Sequence, residues 1–309
     1  MNLSLFDLHC DTAWEMLKQK QPLEENNLAV SLQKASIYHR YAQVMAHWTP
    51  SRMQNEEGWQ NFLAMHQNLL NDPAVRTHKA KICTSCPDKD HIPSLFLAVE
   101  DARILAGKID RVDRLFAMGI RILTPLWKGE TCIGGSHDTD RGLTAFGKEA
   151  LDRAASLGII LDISHASIRS AEMIFSIAQA HHRPVIASHS NAYDVCPVSR
   201  NLRTEQIQYI VDSDGLIGIN LFTDFLTADG KATSIDALRH IDRFLELGAK
   251  DRIALGCDMD GCKLPPDIPN VSALVRLAEQ MQKSGYSEEL IHNLFYGNAY
   301  RFAKQYFRT

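Results

Sequence analysis

The sequence has few of the features of secreted, membrane-spanning or nucleic-acid-binding proteins. No apolar run approaches the roughly 18 residues of a membrane span, and Asp7 interrupts the N-terminus before a signal-peptide core could form. The 33 basic and 37 acidic residues give a net charge of -4, which indicates no affinity for nucleic acid or an anionic membrane surface. We therefore expect a cytoplasmic protein without nucleic-acid or membrane partners.

Cysteine is also scarce, with seven residues in 309 and no spacing typical of a disulfide framework. An odd number of this kind predicts reduced thiols in an oxidant-poor compartment. The 45% hydrophobic content is enough for a sizeable core, and α/β barrels of this length commonly form one domain. Because no repeat, linker or composition break interrupts the chain, we expect a single domain over residues 1–309.

Short apolar runs alternate with amphipathic segments along the chain. The apolar runs predict eight strands at residues 3–7, 42–48, 94–99, 119–124, 158–163, 184–188, 215–221 and 252–256. The amphipathic segments predict helices at residues 12–19, 57–70, 102–118, 145–156, 167–180, 204–211, 234–247, 271–283 and 287–302. This order predicts an α/β fold, a parallel (β/α)8 TIM barrel. The Gly-rich, polar segment 125–142 has the composition of a binding loop.

The first strand is followed by His9 and Asp11. In an extended chain these two side chains point the same way, and an imidazole beside a carboxylate suits a divalent metal such as zinc. The same stretch also fits a buried histidine followed by a helix N-cap at Asp11 or Thr12.

Other predicted strands end in the same kind of residue. Polar side chains at these ends are His9, Asp11, Glu100, His165, His189 and Asp258. The C-terminal ends of barrel strands converge on one face, where active sites are built. This convergence favours a metal site over isolated caps. Three imidazoles and two carboxylates exceed what one catalytic zinc with an open position needs, and they suit two metals that share a carboxylate and a bridging hydroxide.

Several short motifs together resemble the membrane dipeptidase (renal dipeptidase) family over nearly the whole chain, in order. They are Asp7-Leu-His-Cys-Asp-Thr12, Ala98-Val-Glu-Asp-Ala102, Gly142-Leu-Thr-Ala-Phe-Gly147, Asp162-Ile-Ser-His165, Ser188-His-Ser190 with Ala192-Tyr193, Ser199-Arg-Asn201 and Gly256-Cys-Asp-Met-Asp-Gly261. The resemblance implies a binuclear zinc hydrolase on a (β/α)8 barrel of the metal-dependent hydrolase type that cleaves dipeptides, in a bacterial-type soluble form.

The resemblance also implies roles for individual residues. His9 and Asp11 would hold one zinc, His165 and His189 the other, and Glu100 would bridge them. Arg200 would bind the C-terminal carboxylate of the dipeptide, since a guanidinium can donate two parallel hydrogen bonds, and Asp258 would transfer the proton. Without the resemblance, Arg200 would be interpreted as a solvated loop charge. A homodimer is the assembly that the family suggests.

The sequence departs from the family at a few positions. Where mammalian members have a histidine that steadies the oxyanion, this chain has Trp127, which we expect to wall the pocket. Loss of such a donor costs about 2.7 to 4 kcal/mol unless another group replaces it. His137 in the same loop is a candidate replacement, although its surroundings favour a surface histidine. Cys10 should point away from the ligands, and we expect the protein to have neither the secretory leader nor the lipid anchor of the mammalian enzymes.

The sequence leaves three classes of function open. They are a zinc dipeptidase, another hydrolase on the same metal centre such as an N-acyl amino acid deacylase or lactonase, and a catalytically idle binding protein. The intact ligands and Asp258 argue against the last. Zinc is the expected metal, although manganese or cobalt would fit the same ligands.

Overall fold

The computed structural model describes residues 2–86 and 91–307. Its strands are β1 (Leu5–Cys10), β2 (Tyr41–Trp48), β3 (Lys81–Ile82), β4 (Ser94–Glu100), β5 (Ile120–Thr124), β6 (Ile160–Asp162), β7 (Val185–Ala187), β8 (Leu216–Ile219) and β9 (Ile253–Leu255). Its α-helices are α1 (Thr12–Gln19), α2 (Leu32–Ala35), α3 (Asn55–Leu70), α4 (Pro73–Arg76), α5 (Asp110–Ala117), α6 (Ala145–Leu157), α7 (Ile168–Ala180), α8 (Thr204–Asp212), α9 (Thr223–Leu226), α10 (Ser234–Glu246), α11 (Val275–Lys283), α12 (Glu288–His292) and α13 (Asn298–Tyr306).

The parallel sheet closes on itself. Its strand order is β2-β1-β9-β8-β7-β6-β5-β4, and β2 pairs with β4 over seven consecutive residues, from Ala42 opposite Ser94 to Trp48 opposite Glu100. The short strand β3 pairs with the start of β4, before β5 begins to pair at Leu97. The predicted (β/α)8 barrel is therefore confirmed, and β3 is an addition at its rim.

The inside of the barrel is packed with apolar side chains from all eight barrel strands. Neighbouring inward positions include Phe6 and Phe96, whose rings stack with centroids 5.2 Å apart. Helix α13 covers the end of the barrel where the strands begin, and Phe307 lies just beyond it with its ring 5.1 Å from Phe96. Because that end is filled, the open end is the one where the strands finish.

Some predicted elements have different bounds. Residues 102–118 were predicted as one helix, but Ala102–Leu105 is a 3-10 turn and α5 starts only at Asp110. The break is at Ala106 and Gly107, whose φ values of 50 and 73 degrees are left-handed and cannot continue a helix. Similarly, residues 287–302 form α12 and α13 with a π-turn between them.

The first strand is displaced from its predicted position and runs to Cys10. A register shift between Asp7 and Cys10 interrupts its pairing with β2. Cys10 Sγ faces Met45 and the Val44 carbonyl, so its side chain points away from the ligands as predicted. Within the described ranges, no helix combines the length and apolarity needed to cross a bilayer.

Candidate metal centre and active site

The ligand candidates meet at the open end of the barrel. His9 is near the end of β1 and Glu100 is the last residue of β4, whereas the other four lie in the turns that follow strands. Five of the six are buried, and only His165 is partly accessible. The six, taken from five strand ends, are His9, Asp11, Glu100, His165, His189 and Asp258. Thus the convergence predicted from the strand ends is present in the structure.

Glu100 lies at the centre of this group. Its Oε1 is 2.9 Å from His165 Nε2 and 3.5 Å from His189 Nε2. Its Oε2 is 3.4 Å from His9 Nε2 on the other side. One oxygen of the carboxylate therefore faces the imidazole of His9 and the other faces those of His165 and His189, which is an arrangement suited to a bridging ligand.

The remaining contacts divide the ligands into two overlapping sets. His9 Nε2 is 3.6 Å from Asp11 Oδ2 and 3.9 Å from Asp258 Oδ1. Among the described residues, His9, Asp11 and Asp258 form one group whose ligand atoms lie within 4.8 Å of one another, and His9, Glu100 and His189 form another. The family resemblance implied proton transfer as the role of Asp258, and here its carboxylate also lies in one group with His9 and Asp11.

Asp11 reaches the centre by a different route from the predicted one. The strand ends at Cys10, and Asp11 precedes α1 with φ -95 and ψ 15 degrees. Strand alternation therefore does not aim its carboxylate. The turn from β1 into α1 directs the Asp11 carboxylate to the centre. Thr12, the first residue of that helix, donates to Asp260 Oδ2 at 2.6 Å.

A hydrogen-bond network sets the tautomer of His189. Ser188 Oγ donates to Asp162 Oδ2 at 2.5 Å and lies 2.7 Å from His189 Nδ1. Because the hydroxyl proton points at the carboxylate, Ser188 Oγ accepts from a protonated Nδ1. The lone pair of His189 is then on Nε2, facing Glu100. Asp162 is itself held by Thr124 Oγ1 at 2.6 Å and the Ser164 amide at 2.8 Å.

Two residues of the centre have strained backbones. His165 has φ of 69 degrees and Asp258 has φ of 60 degrees, both in the left-handed region. Such conformations are uncommon outside glycine and cluster at functional sites.

Asn220 donates to Asp258 Oδ2 at 3.2 Å and fixes that carboxylate. Asn220 had been assigned to a predicted strand, and its only sequence signal was a polar residue near the end of an apolar run.

The charges of the centre suit a divalent cation. Burial lowers the pKa of His165 to about 3, and Arg200 adds to this effect, while burial and His9 lower the pKa of His189 well below its usual value. These rings are therefore neutral and able to ligate at pH 7. Burial raises the pKa of Asp11 to about 8, with repulsion from Glu100 as the next cause. Repelling carboxylates of this kind are stabilised by a bound metal.

Buried polar atoms without hydrogen-bond partners also indicate that these residues suit a metal ion. His9 Nε2 and Asp11 Oδ1 are buried and have no hydrogen-bond partner within residues 2–86 and 91–307. A buried polar atom without a partner is costly, unless a ligand or an ion completes it. Imidazole nitrogens with carboxylate oxygens are the donors that zinc, manganese and cobalt accept. The residues present thus fit metal ions.

A cavity of about 530 Å³ opens above the centre. Glu100, Asp11 and Asp258 lie at its floor, and its size is in the range of small-molecule sites. Its walls are rich in aromatic rings, namely Trp14, Trp48, Trp127, Phe222 and Phe225. Trp127 therefore walls the pocket, with its ring 6.5 Å from that of His165.

Arg200 is buried rather than solvated. It is only 4% exposed, and it donates to Ser190 Oγ at 2.7 Å and to the His189 carbonyl at 2.9 Å. Its Nε has no partner among the described residues. The interpretation of Arg200 as a solvated loop charge is therefore wrong, because the side chain is buried and its guanidinium is bonded to the protein. Arg200 also lines a second cavity of about 460 Å³ beside the first.

His137 is less exposed than the prediction of a surface histidine implied. It is half-buried and lines both cavities, and its ring centroid is 5.9 Å from that of His165. Its backbone amide donates to the His165 carbonyl at 2.7 Å, and its Nδ1 is 3.0 Å from Ser199 Oγ. Burial, together with Arg200, lowers its pKa to about 4, so the ring is neutral at pH 7.

A family comparison agrees with this geometry. The sequence model of the Membrane dipeptidase family (peptidase family M19) matches residues 1–308. The chain belongs to the membrane dipeptidase family. An uncharacterized protein from the pqqA 5' region of Klebsiella pneumoniae is 32% identical over 263 residues, which is 80% of this chain and 94% of that protein.

Solved structures of the membrane dipeptidase family have the same fold. The dipeptidase AC, a metallopeptidase of this family, superimposes with a TM-score of 0.92 and 26% identity over 99% of both chains. A metallopeptidase from Rhodobacter sphaeroides, liganded with a phosphinate mimic of the dipeptide L-Ala-D-Ala, has a TM-score of 0.90 and 25% identity over 99% of this chain and all of that one (100%). The resemblance seen in the motifs is therefore confirmed, and the family is one of metal-dependent hydrolases.

Proposed function

We propose that this protein is a metallo-dipeptidase that hydrolyses the peptide bond of dipeptides with two zinc ions. The observation that carries the proposal is the position of Glu100, whose Oε2 faces His9 while its Oε1 faces His165 and His189. A carboxylate shared between two sets of nitrogens supports a binuclear centre. The single domain over residues 1–309, the cytoplasmic location and the homodimer stay predictions.

In this proposal His9 and Asp11 would hold one zinc, His165 and His189 would hold the other, and Glu100 would contribute to both sites. When bound, two zinc ions would lower the pKa of water towards neutrality and polarise the scissile carbonyl. The protein contributes a rigid ligand set, because the Ser188 hydroxyl fixes the tautomer of His189.

Asp258 is the proposed proton-transfer residue. Its Oδ2 is held by Asn220, and its Oδ1 points towards His9 and lines the cavity. Burial raises the pKa of this carboxyl above its usual range, which brings it closer to the value that suits a general base at neutral pH. Asp258 would accept the proton of the attacking water and donate it to the leaving amine as the C–N bond breaks.

Arg200 is the proposed anchor for the substrate carboxylate. Its guanidinium is fixed through two nitrogens to Ser190 and His189, while its Nε keeps a donor that is not satisfied within the described chain. The bound phosphinate mimic of L-Ala-D-Ala in the Rhodobacter sphaeroides relative supports a dipeptide as the substrate class. Trp127, where mammalian members have a histidine, would bound the substrate as part of the wall.

The test combines metal content with turnover. We expect about two zinc ions per chain and hydrolysis of members of an L,L and L,D dipeptide panel, with kcat reduced by about 100- to 10,000-fold in Asp258→Asn. Asp212→Asn on the exposed face of α8 is the matched control and should retain wild-type turnover. Because the aromatic wall could also hold an acyl chain, N-acyl amino acids and lactones form the comparison panel for the alternative hydrolase.

Each outcome has a clear meaning. Two metals with dipeptide turnover that falls in Asp258→Asn would support the proposal. Two metals with turnover only of N-acyl amino acids or lactones would move the assignment to the alternative hydrolase. Absence of bound metal after reconstitution would refute the binuclear centre.

A further inference from the structure

Tryptophans form one continuous side of the cavity. Three of the chain's four tryptophans line it, namely Trp14, Trp48 and Trp127. The ring of Trp48 lies edge-to-face with both neighbours, with centroids 5.8 Å from Trp14 and 5.1 Å from Trp127. We call these three residues the tryptophan wall. It runs from α1 across the end of β2 to the loop after β5.

The tryptophan wall adjoins the metal ligands. Trp48 is the residue opposite Glu100 in the pairing of β2 with β4, and Trp127 lies beside His165. A side chain attached next to a scissile carbonyl that lies over the proposed metal centre would therefore meet these indoles. All three tryptophans are only half-buried. Apolar surface of this kind, concave and beside reactive groups, is typical of a ligand-binding wall.

Acidic side chains predominate on one side of the cavity. Glu15 and Asp260 line it on the side of Trp14, together with one basic residue, Lys18, whose Nζ is 2.9 Å from Glu15 Oε1. The second lysine of the lining, Lys128, follows Trp127 at the other end of the tryptophan wall. Arg200 lies elsewhere, with its guanidinium carbon 5.6 Å from the ring centroid of Phe225. Phe225 follows β8, which is three strands from β2 and three from β5 in the barrel order. A dipeptide zwitterion would place its ammonium group near the acids and its carboxylate near Arg200.

From these observations we infer that the tryptophan wall selects dipeptides whose N-terminal residue has a large apolar or aromatic side chain. The inference rests on the proposed dipeptidase function and narrows its substrate class. In this orientation the N-terminal side chain packs on Trp14 and Trp48, because it lies on the acidic side of the scissile bond. Aromatic rings favour edge-to-face contact with indoles of this geometry, whereas glycine would leave the wall exposed to water.

The test compares three dipeptides on the zinc-loaded enzyme. Phe-Ala and Gly-Ala are each assayed with L-alanine and with D-alanine at the C-terminal position. Ala-Phe is assayed as the isomer of Phe-Ala. We expect kcat/KM for Phe-Ala to exceed that for Gly-Ala and for the isomer Ala-Phe by at least about tenfold, the discrimination that apolar pockets achieve.

Variants then locate the source of this preference. In Trp48→Ala the ratio of kcat/KM for Phe-Ala to that for Gly-Ala should fall towards one, with bound zinc unchanged. Trp14→Ala provides an independent second variant should Trp48→Ala fail to fold. Ile235→Ala, which truncates an apolar side chain that is 54% exposed on α10 and lies outside the cavity lining, is the control and should keep the ratio within about twofold of wild type.

Failure of this inference and failure of the dipeptidase assignment give different results. Turnover of all three dipeptides without the Phe-Ala preference, or with a ratio unaffected by either tryptophan variant, would overturn the inference alone. A preference for Ala-Phe would overturn the orientation on which it depends. No turnover of any dipeptide by the zinc-loaded enzyme would overturn the assignment and the inference together.

Discussion

A methyl group at Gly261 should disable the metal centre while leaving the barrel intact. Gly261 lies in the turn after β9, where its amide donates to the Asp258 carbonyl at 3.2 Å. A Cβ at this position would lie 1.9 Å from Asp11 Oδ2 and 2.5 Å from Asp258 Oδ1. Because real Cβ atoms essentially never approach within 3.0 Å, Gly261→Ala must push the Asp11 oxygen away by about 1.1 Å.

This displacement is large on the scale of metal coordination. Ligand distances in metal sites hold to about 0.2 Å, so Asp11 would be lost as a ligand to the proposed first zinc. A misplacement of about 1 Å near the chemistry costs roughly 100-fold in rate, or about 2.7 kcal/mol. We therefore expect kcat/KM to fall by at least about 100-fold, together with weaker binding of one of the two metals.

The assay is zinc content by mass spectrometry after dialysis, alongside kcat/KM for a cleaved dipeptide and circular dichroism for the fold. Gly142→Ala is the matched control, since its new methyl group meets mainly the flexible side chain of Met173, with Sδ at 2.9 Å. Gly142→Ala should retain both metals. Wild-type zinc affinity and turnover in Gly261→Ala would refute the reasoning.

Three further predictions concern the anchor, the metals and acid stability. Arg200→Lys should raise KM for dipeptides about tenfold or more, because an ammonium cannot reproduce the forked contacts to Ser190 and His189; steady-state kinetics will measure it. Chelation should lower Tm by several degrees, since a site filled at 1,000 times its Kd contributes about 4 kcal/mol; calorimetry with and without chelator will test this. His47→Gln should relieve part of the loss of stability in acid, because burial, with His66 nearby, holds the pKa of His47 at about 3.

The sign of the last effect follows from proton linkage. The unfolded chain protonates His47 near pH 6.5 and the folded chain does not, so stability is lost as pH falls below 6.5, by about 2 kcal/mol at pH 5. Urea titrations of the metal-free proteins at pH 7 and pH 5 will compare wild type with His47→Gln. An equal loss of stability in both proteins would contradict the assignment of this acid sensitivity to His47. An unchanged KM in Arg200→Lys would contradict the prediction for the anchor, and an unchanged Tm on chelation would contradict the prediction for the metals.

The convergence of the proposed ligands at the strand ends was predictable because its signal is local. An apolar run followed within two residues by a histidine or carboxylate recurs at five strand ends, and parallel strands in a barrel all finish on the same face. The same logic could not predict how Asp11 reaches the centre. Its direction comes from the turn into α1 and the bulge in β1, which depend on pairing between Cys10 and β2.

Burial was the property that sequence patterns misjudged. Arg200 and His137 both lie in polar loops, and a polar loop residue is usually solvated. In the structure the loops after β5 and β7 pack over the strand ends, which covers Arg200 and places His137 between two cavities. Similarly, the helix predicted over residues 102–118 ignored the left-handed turn at Ala106 and Gly107, which an amphipathic pattern does not reveal.

The barrel, the family and the set of proposed ligand residues could be predicted from the sequence alone, because each depends on patterns within a few residues and on their order along the chain. Only the tertiary structure decided that Glu100 lies between two sets of imidazoles, that Asp258 joins His9 and Asp11, and that tryptophans from α1, β2 and the loop after β5 share one wall. These relations join residues far apart in the chain, and their distances depend on barrel closure and side-chain packing, which no local pattern specifies.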